Sequence, residues 1–283
     1  MIPAKFDYVR PGSLEEAVTA LAGGGEDAKV IAGGQSLLPL LRLRLAYPEL
    51  LVDVGGIDEL RGVTDAGDAL VIGARTTHHQ VVHDPLIAEH CGLLAQAAAT
   101  VADPAVRHRG TLGGSLAHAD PAGDLPAVAL ALDATMVARG PRGEREIAAA
   151  DFFVDYLTSS LAPDEILTAV RVPKLGAGWG YRYEKFHRTA QAWATVGVAA
   201  LVRRSNGSVA EARIGLTNMG PTPLRAAALS AAVAEASRDA LRAAAGSADE
   251  GTNPPDVLHG APDYRRHLAR VLTGRALAAA AGA

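Results

Sequence analysis

The chain has 283 residues, 49% of them hydrophobic, with a formal charge of −4 and a pI of about 6.1. That supports one large core or two moderate ones, and it offers neither the basic excess that nucleic acid favours nor a polybasic stretch for an anionic membrane. A single cysteine, Cys91, excludes an internal disulfide and any iron–sulfur cluster that would draw about four thiolates from this chain.

Nothing like an apolar leader follows Met1-Ile2-Pro3-Ala4-Lys5-Phe6, so no signal peptide is expected. Ser13-Leu14-Glu15-Glu16 is a capping box. It opens a helix expected to run to about Leu21 and to stop at Gly23-Gly24-Gly25. Lys29 to Ala32 is a short buried strand ending in Gly33-Gly34. A second helix begins near Ser36, with Pro39 tolerated in its first turn. Leu50–Val54 and Ala69–Gly73 are further strands. Thr77 to Val101 is helical, interrupted at Asp84-Pro85, and Cys91 is expected as a small buried residue within a helix. A Gly-rich loop spans Arg109 to Asp124, and a helix follows from about Pro126 to Leu132. Ala134–Arg139 and Arg145–Ile147 are strands joined by the turn Gly140-Pro141-Arg142-Gly143.

The character changes near Gly176. Tyr181–His187, Val196–Arg204 and Val209–Leu216 form an antiparallel meander of three strands, its last turn signalled by Asn206-Gly207. Helices are expected at Ala226–Ala236, Ser237–Ala245 and Asp263–Ala280, with a loop from Gly246 to Pro262. A boundary therefore falls between about 173 and 179. Strands followed by helices make the second part α+β. The Ala-rich runs are broken by charge, Gly or Pro before the roughly 18 apolar residues of a membrane span. A soluble protein of the reducing cytoplasm is the expectation.

Two segments share one design: Ala32-Gly33-Gly34-Gln35-Ser36-Leu37, and Thr111-Leu112-Gly113-Gly114-Ser115-Leu116. Consecutive glycines let neighbouring backbone N–H groups point into one concavity that binds an anion. Two such nests suit a diphosphate held from both sides, with Ser36, Thr111 and Ser115 adding hydroxyl donors. Either Gly-Gly alone is equally a tight turn. Neither segment matches the dinucleotide fingerprint G-x-G-x-x-G or the P-loop.

The second segment continues as Ala117-His118-Ala119-Asp120-Pro121-Ala122-Gly123-Asp124-Leu125-Pro126. With the first loop about 80 residues earlier, and Tyr264-Arg265-Arg266-His267-Leu268-Ala269-Arg270-Val271-Leu272 near the end, the chain resembles the FAD-binding medium subunit of molybdenum hydroxylases, the group of carbon monoxide and xanthine dehydrogenases. The resemblance spans nearly the whole chain. It implies a two-lobed FAD-binding domain of the vanillyl-alcohol oxidase/p-cresol methylhydroxylase type over 1–175, with lobes at about 1–55 and 56–175. A C-terminal domain of three antiparallel strands and helices would cover 176–283. It implies non-covalent FAD, with the diphosphate wrapped by Ala32, Gly33, Gly34, Gln35, Ser36 and Leu37 and met by Thr111, Gly113, Gly114 and Ser115, and with Ile31 a further cofactor-binding position. Asp124 would hold a sugar or ribityl hydroxyl, a sensible use of a carboxylate, although a helix N-cap role is open to it. Val101, Ile166, Leu167 and Lys185 would line the flavin or its ribityl end. Trp193 would stand near the ring, the alternative being a core aromatic. Gln35 replaces the His or Asn, and Ser115 the Asn, that many members carry.

By the same resemblance, the partners are a molybdopterin-binding large subunit and a small subunit with 2Fe–2S clusters. Electrons would leave for quinone, NAD or oxygen. A stand-alone FAD oxidoreductase on the same scaffold, and a scaffold that has lost flavin, are the competing readings. His79 and His83 have a spacing zinc can use but lack an evident third ligand, so no metal site is expected. Ser115, His118 and Asp120 share a loop without the roles of a triad. Arg107-His108-Arg109 and Arg203-Arg204 are expected to be solvated.

Overall fold

The computed structural model describes residues 2–206, 208–227, 229, 238–257 and 260–282. The N-terminal segment alternates β1 (Asp7–Val9), α1 (Leu14–Gly24), β2 (Ala28–Ile31), α2 (Leu37–Leu43) and β3 (Leu50–Asp53). Its strands are parallel, in the order β1-β3-β2, and Ala17, Val18 and Leu21 of α1 close over Ala28, Val52 and Val54. Ser13 caps α1 by accepting from the Glu16 amide at 3.2 Å. The Glu16 carboxylate reaches past Ser13 to the amide of Gly12, 2.8 Å away, so the reciprocal half of the capping box moves one residue upstream.

The middle of the chain contains β4 (Val63–Asp65), β5 (Ala69–Gly73), α3 (His78–His83), α4 (Pro85–His90), α5 (Gly92–Ala98), α6 (Pro104–Arg107), α7 (Leu112–His118) and α8 (Asp124–Ala131). Then come β6 (Thr135–Gly140), β7 (Gly143–Ala148), α9 (Ala149–Phe152), β8 (Phe153–Asp155), β9 (Thr158–Ser159) and β10 (Ile166–Pro173). Five strands form an antiparallel sheet in the order β4-β5-β10-β6-β7, while β8 and β9 make a separate hairpin.

Two expectations fail here. The Thr77–Val101 helical run breaks at Asp84-Pro85, as expected, and then a second time, which was not. At the first break Asp84 accepts from the amides of Leu86 and Ile87, with Pro85 at the helix start. At the second, Cys91 adopts φ −148° and separates α4 from α5, so it lies between helices rather than inside one. Burial pushes its thiol up to about 12. The segment from Arg109 to Asp124 is also not wholly loop, because Thr111 caps the helix α7 within it.

The C-terminal part contains β11 (Trp179–Phe186), β12 (Val196–Ser205), β13 (Ser208–Thr217), β14 (Leu224–Arg225), α10 (Arg238–Ala244) and α11 (Pro262–Ala280). The sheet is antiparallel in sequential order, and the two-residue β14 adds a fourth strand to the three expected. Asn206 sits at φ 51°, and Ser205 pairs with Ser208 across the turn. The helix expected at Ala226–Ala236 falls largely outside the described residues. Arg107, Arg203 and Arg204 are not simply solvated. Arg107 donates to the carbonyls of Val101 and Ala102, Arg203 to Glu211, and Arg204 to the carbonyl of Ala281.

Strand β12 explains the assembly. Val196, Val198, Ala200 and Val202 face the helices of the C-terminal part, whereas Ala199 and Leu201 join the large central core with α5 and α8. Covered on both faces, the strand is apolar throughout instead of alternating. Every residue of α8 is buried, Asp124 included. Helix α8 approaches β13 so closely that a Cβ on Gly215 would lie 2.2 Å from the Ala127 carbonyl oxygen. Gly215→Ala should therefore cost about 1–3 kcal/mol by overpacking. A lowered thermal midpoint checks this, and an unchanged midpoint would show that the helix lifts off the sheet freely.

Candidate cofactor site

A cleft of about 710 Å³ lies among these units, within the roughly 300–1,000 Å³ of small-molecule sites. Every candidate cofactor-binding position lines it. Ile31, Ala32, Gly33, Gly34, Gln35, Ser36 and Leu37 come from the end of β2 and the start of α2. Val101, Thr111, Gly113, Gly114, Ser115 and Asp124 come from the α5–α8 region. Ile166 and Leu167 start β10, Lys185 is on β11, and Trp193 lies between β11 and β12.

The two Gly-rich segments turn out to be different devices. In the first, the amides of Gly33, Gly34, Gln35, Ser36 and Leu37 meet no acceptor among the described residues, and the next amide, that of Leu38, bonds to the Gly34 carbonyl at 2.9 Å. Gln35 folds back to donate to the Gly33 carbonyl at 3.1 Å. Gly33 is required for a further reason, since a Cβ there would lie 2.1 Å from the Arg109 carbonyl oxygen. The loop is pressed onto the second segment, backbone to backbone.

The second segment is not an open nest. The amides from Leu112 to Ser115 are occupied: Leu112 by the Thr76 carbonyl at 2.9 Å, Gly113 by Ala74 at 2.7 Å, Gly114 by Thr111 Oγ1 at 3.1 Å and Ser115 by the Thr111 carbonyl at 3.0 Å. These bonds tie α7 to the turn between β5 and α3. What faces the cleft from here is side chain. The Thr111 hydroxyl, accepting from Gly114, retains its own proton to donate.

Deeper in the cleft lies a buried ion pair. Lys185 Nζ is 2.7 Å from Asp124 Oδ2 and donates also to the Thr100 carbonyl at 3.1 Å, with both charged side chains only 4% exposed. Tyr183 donates to Asp124 Oδ1 at 2.6 Å. Asp124 is thus not a helix cap; Gly123 occupies that position. Burial raises the Asp124 pKa above the ordinary carboxylate value, while Lys185 and Tyr183 pull it down. Lys185 has three N–H donors, two of them engaged, leaving one for a ligand.

Sequence reasoning missed two residues. Tyr183 lies two positions before Lys185 on one strand, so the period of two already placed both on one face. His78 lines the cleft, is 4% exposed, and its Nδ1 has no partner. Burial, with Arg107 nearby, lowers its pKa to about 4, so the ring is neutral near pH 7. A buried polar atom left unpaired is unfavourable, which marks a place for a ligand group. His118 and Asp120 also line the cleft, 4.0 Å apart. His79 stacks on His108 at 3.9 Å and lies beside His83 at 4.3 Å, ring against ring. Trp193 is 55% exposed at the cleft wall, not a core aromatic.

Removing Lys185 would leave a bare carboxylate in the core, so Lys185→Met should cost about 3–5 kcal/mol. The sign of its pH dependence follows. Without the ammonium, the folded pKa of Asp124 rises further above the unfolded value, so the native state holds the extra proton between the two. Stability of the variant must then fall as pH rises through that window and recover on acidification. Chemical denaturation of both proteins at several pH values tests this; a deficit that is flat with pH would mean Asp124 is not the group left exposed.

Comparison with known proteins agrees with this geometry. Residues 4–175 match the family described as the FAD binding domain in molybdopterin dehydrogenase, and residues 181–280 match the CO dehydrogenase flavoprotein C-terminal domain. The chain is 42% identical over 282 residues to the carbon monoxide dehydrogenase medium chain of Hydrogenophaga pseudoflava, covering 99% of this chain and 98% of that one. It is 39% identical over 283 residues to the 6-hydroxypseudooxynicotine dehydrogenase complex subunit alpha of Paenarthrobacter nicotinovorans, covering 99% and 96%. Among solved structures, the Hydrogenophaga pseudoflava carbon monoxide dehydrogenase aligns with a TM-score of 0.96 at 44% identity, over 99% of this chain and 98% of that one. Quinoline 2-oxidoreductase from Pseudomonas putida 86 aligns at 0.94 and 36%, over 100% and 99%. With matches over both parts and relatives aligned end to end, the chain belongs to the FAD-binding medium subunits of the molybdenum hydroxylases.

Proposed function

We propose that this chain is the electron-transfer subunit of a molybdenum hydroxylase. A molybdopterin-binding large subunit oxidises the substrate, 2Fe–2S clusters of a small subunit relay the electrons, and this chain delivers them through non-covalent FAD to a small-molecule acceptor. The observation that carries the reading is the run of unpartnered amides from Gly33 to Leu37 at the wall of a cleft that also holds an orphaned imidazole nitrogen. A diphosphate needs such donors, and Gly33 lets the loop that carries them sit against the Arg109 carbonyl, where a Cβ could not fit.

The residues divide the work. The Gly33–Leu37 amides and the Ser36 hydroxyl hold the diphosphate, with Thr111 and Ser115 donating from the facing wall. Asp124 keeps lone pairs for a sugar or ribityl hydroxyl, and Lys185 offers its third N–H. Ile31, Val101 and Leu167 exclude water, and Trp193 covers the mouth. The division into 1–175, with lobes 1–55 and 56–175, and 176–283 belongs to the same reading, and the family matches over 4–175 and 181–280 support it. When bound, FAD supplies the electron exchange itself, which is why no general acid or base of the chain is needed for it.

Two further facts favour a relay over a stand-alone enzyme. The one cysteine is buried, so cluster ligands must come from another subunit. Relatives on this scaffold are named for carbon monoxide, 6-hydroxypseudooxynicotine and quinoline. One scaffold serving such unlike substrates suits a subunit that never touches the substrate.

The purified chain with FAD should show absorption bands near roughly 375 and 450 nm that denaturation releases. Gly33→Ala should weaken FAD binding at least about tenfold, or ~1.4 kcal/mol, in a fluorescence titration. A wild-type chain that stays colourless in excess FAD would sink the flavin reading. Turnover of a small substrate by the isolated flavoprotein would instead establish a stand-alone oxidoreductase.

A further inference from the structure

Trp193 stands at the cleft in the connection between β11 and β12. The two residues after it are held by three bonds. Asn218 donates from Nδ2 to the Ala194 carbonyl at 2.7 Å, and the Thr195 amide donates to the Phe186 carbonyl at 2.8 Å. The third comes from α11: Arg265 donates from Nη1 to the Thr195 carbonyl at 2.5 Å and from Nε to the Gly260 carbonyl at 3.0 Å.

Arg265 is unusual for a cation. It is 2% exposed and ranks among the largest fully buried side chains. Among the described residues its hydrogen-bond acceptors are both backbone carbonyls, neither of them a carboxylate. Burying a guanidinium without a counter-charge is unfavourable. What offsets it is the rigid fork, whose Nη1 and Nε donors point in fixed directions at two carbonyls from separate segments. The Gly260 side of the grip is tight as well: a Cβ on Gly260 would lie 3.3 Å from Thr195 Cγ2 and 3.5 Å from Arg265 Cγ. The turn before α11, the guanidinium and the start of β12 therefore pack as one block, and Trp193 extends from it into the cleft mouth.

We propose that Arg265 is a positioning residue whose grip on the Thr195 and Gly260 carbonyls sets where Trp193 stands, and so how far a small electron acceptor can approach the flavin. The consequence for the acceptor rests on the flavin reading above. The placement of Trp193 does not.

The test uses the full chain with Trp179→Phe, which leaves Trp193 as the sole tryptophan. Trp179 packs against Arg203 and Arg213, away from the cleft. Acrylamide quenching and the emission maximum of Trp193 are measured without FAD, then with saturating FAD. Arg265→Lys and Arg265→Gln are compared with the parent and with Leu268→Ala, a truncation one turn further along the same helix, in the core it shares with Val198, Ala200 and Val202. Arg265→Gln removes the buried charge altogether, so it avoids the cost of burying an ammonium that the lysine variant carries.

Both Arg265 variants should make Trp193 more accessible to acrylamide and move its emission to longer wavelength without FAD. They should also lose part of the quenching that bound flavin imposes, while Leu268→Ala keeps parental values. Parental accessibility in the Arg265 variants would overturn the proposal, and so would an equal change in Leu268→Ala, which would mean general loosening. A parent that binds no FAD would overturn the flavin reading alone, because the measurements without FAD still decide what Arg265 does.

Discussion

The salt link between Lys185 and Asp124 is the constraint on which the rest of the architecture turns. It joins the first residue of α8 to β11, and through the Thr100 carbonyl it fastens the end of α5 as well. Two charges so deeply buried are stable only as a satisfied set, and here the set is closed by Tyr183, which takes the second carboxylate oxygen. Because these partners come from residues 100, 124, 183 and 185, the pair can form only when the five-stranded sheet region and the C-terminal sheet are docked. The cleft wall is completed by the same event that seals the central core.

This arrangement separates two jobs that look alike in the sequence. The loop after β2 is left chemically hungry, a row of donors without acceptors. The amides from Leu112 to Ser115 are chemically sated, the first two by the turn between β5 and α3 and the next two by Thr111. One wall of the cleft is therefore prepared to take up negative charge, and the opposite wall is rigid and offers only side-chain groups. A rigid wall facing an open one is a reasonable way to orient a long, charged ligand, since orientation needs fixed reference points and binding needs unmet demand.

Much of this was legible beforehand, and the failures have physical reasons. Periodicity located β5 and β12, because a strand buried on both faces shows as an unbroken apolar run, and the Asn206-Gly207 turn located β13. The paired Gly-Gly segments marked the cleft. Glycine has two uses, however, and sequence does not say which applies. At Gly33 it serves close approach beside open amides. At Gly113 it lets the helix settle against Ala74, whose Cβ would be 2.4 Å from an added methyl. The helix α7 was hidden by its two glycines, which lower helix propensity, and it exists because Thr111 caps it and the Ala74 and Thr76 carbonyls take its first amides. Cys91 as a break between helices gave no local signal. A cap role stayed open for Asp124 beside the sugar-binding one because its partners lie some sixty residues away, and a long-range ion pair leaves no trace in local pattern.

The shared strand β12 has an implication for how the molecule comes apart. A boundary near residue 176 divides the chain neatly along its length, yet Tyr183, Ala199 and Leu201 belong to the central core on the other side of it. Sequence modules and cooperative units need not coincide. A fragment ending at the boundary would expose the faces of α5 and α8 to water and strand Asp124 without its cation, so the first 175 residues are not a self-sufficient folding unit. The two halves are therefore expected to melt, refold and resist proteases together.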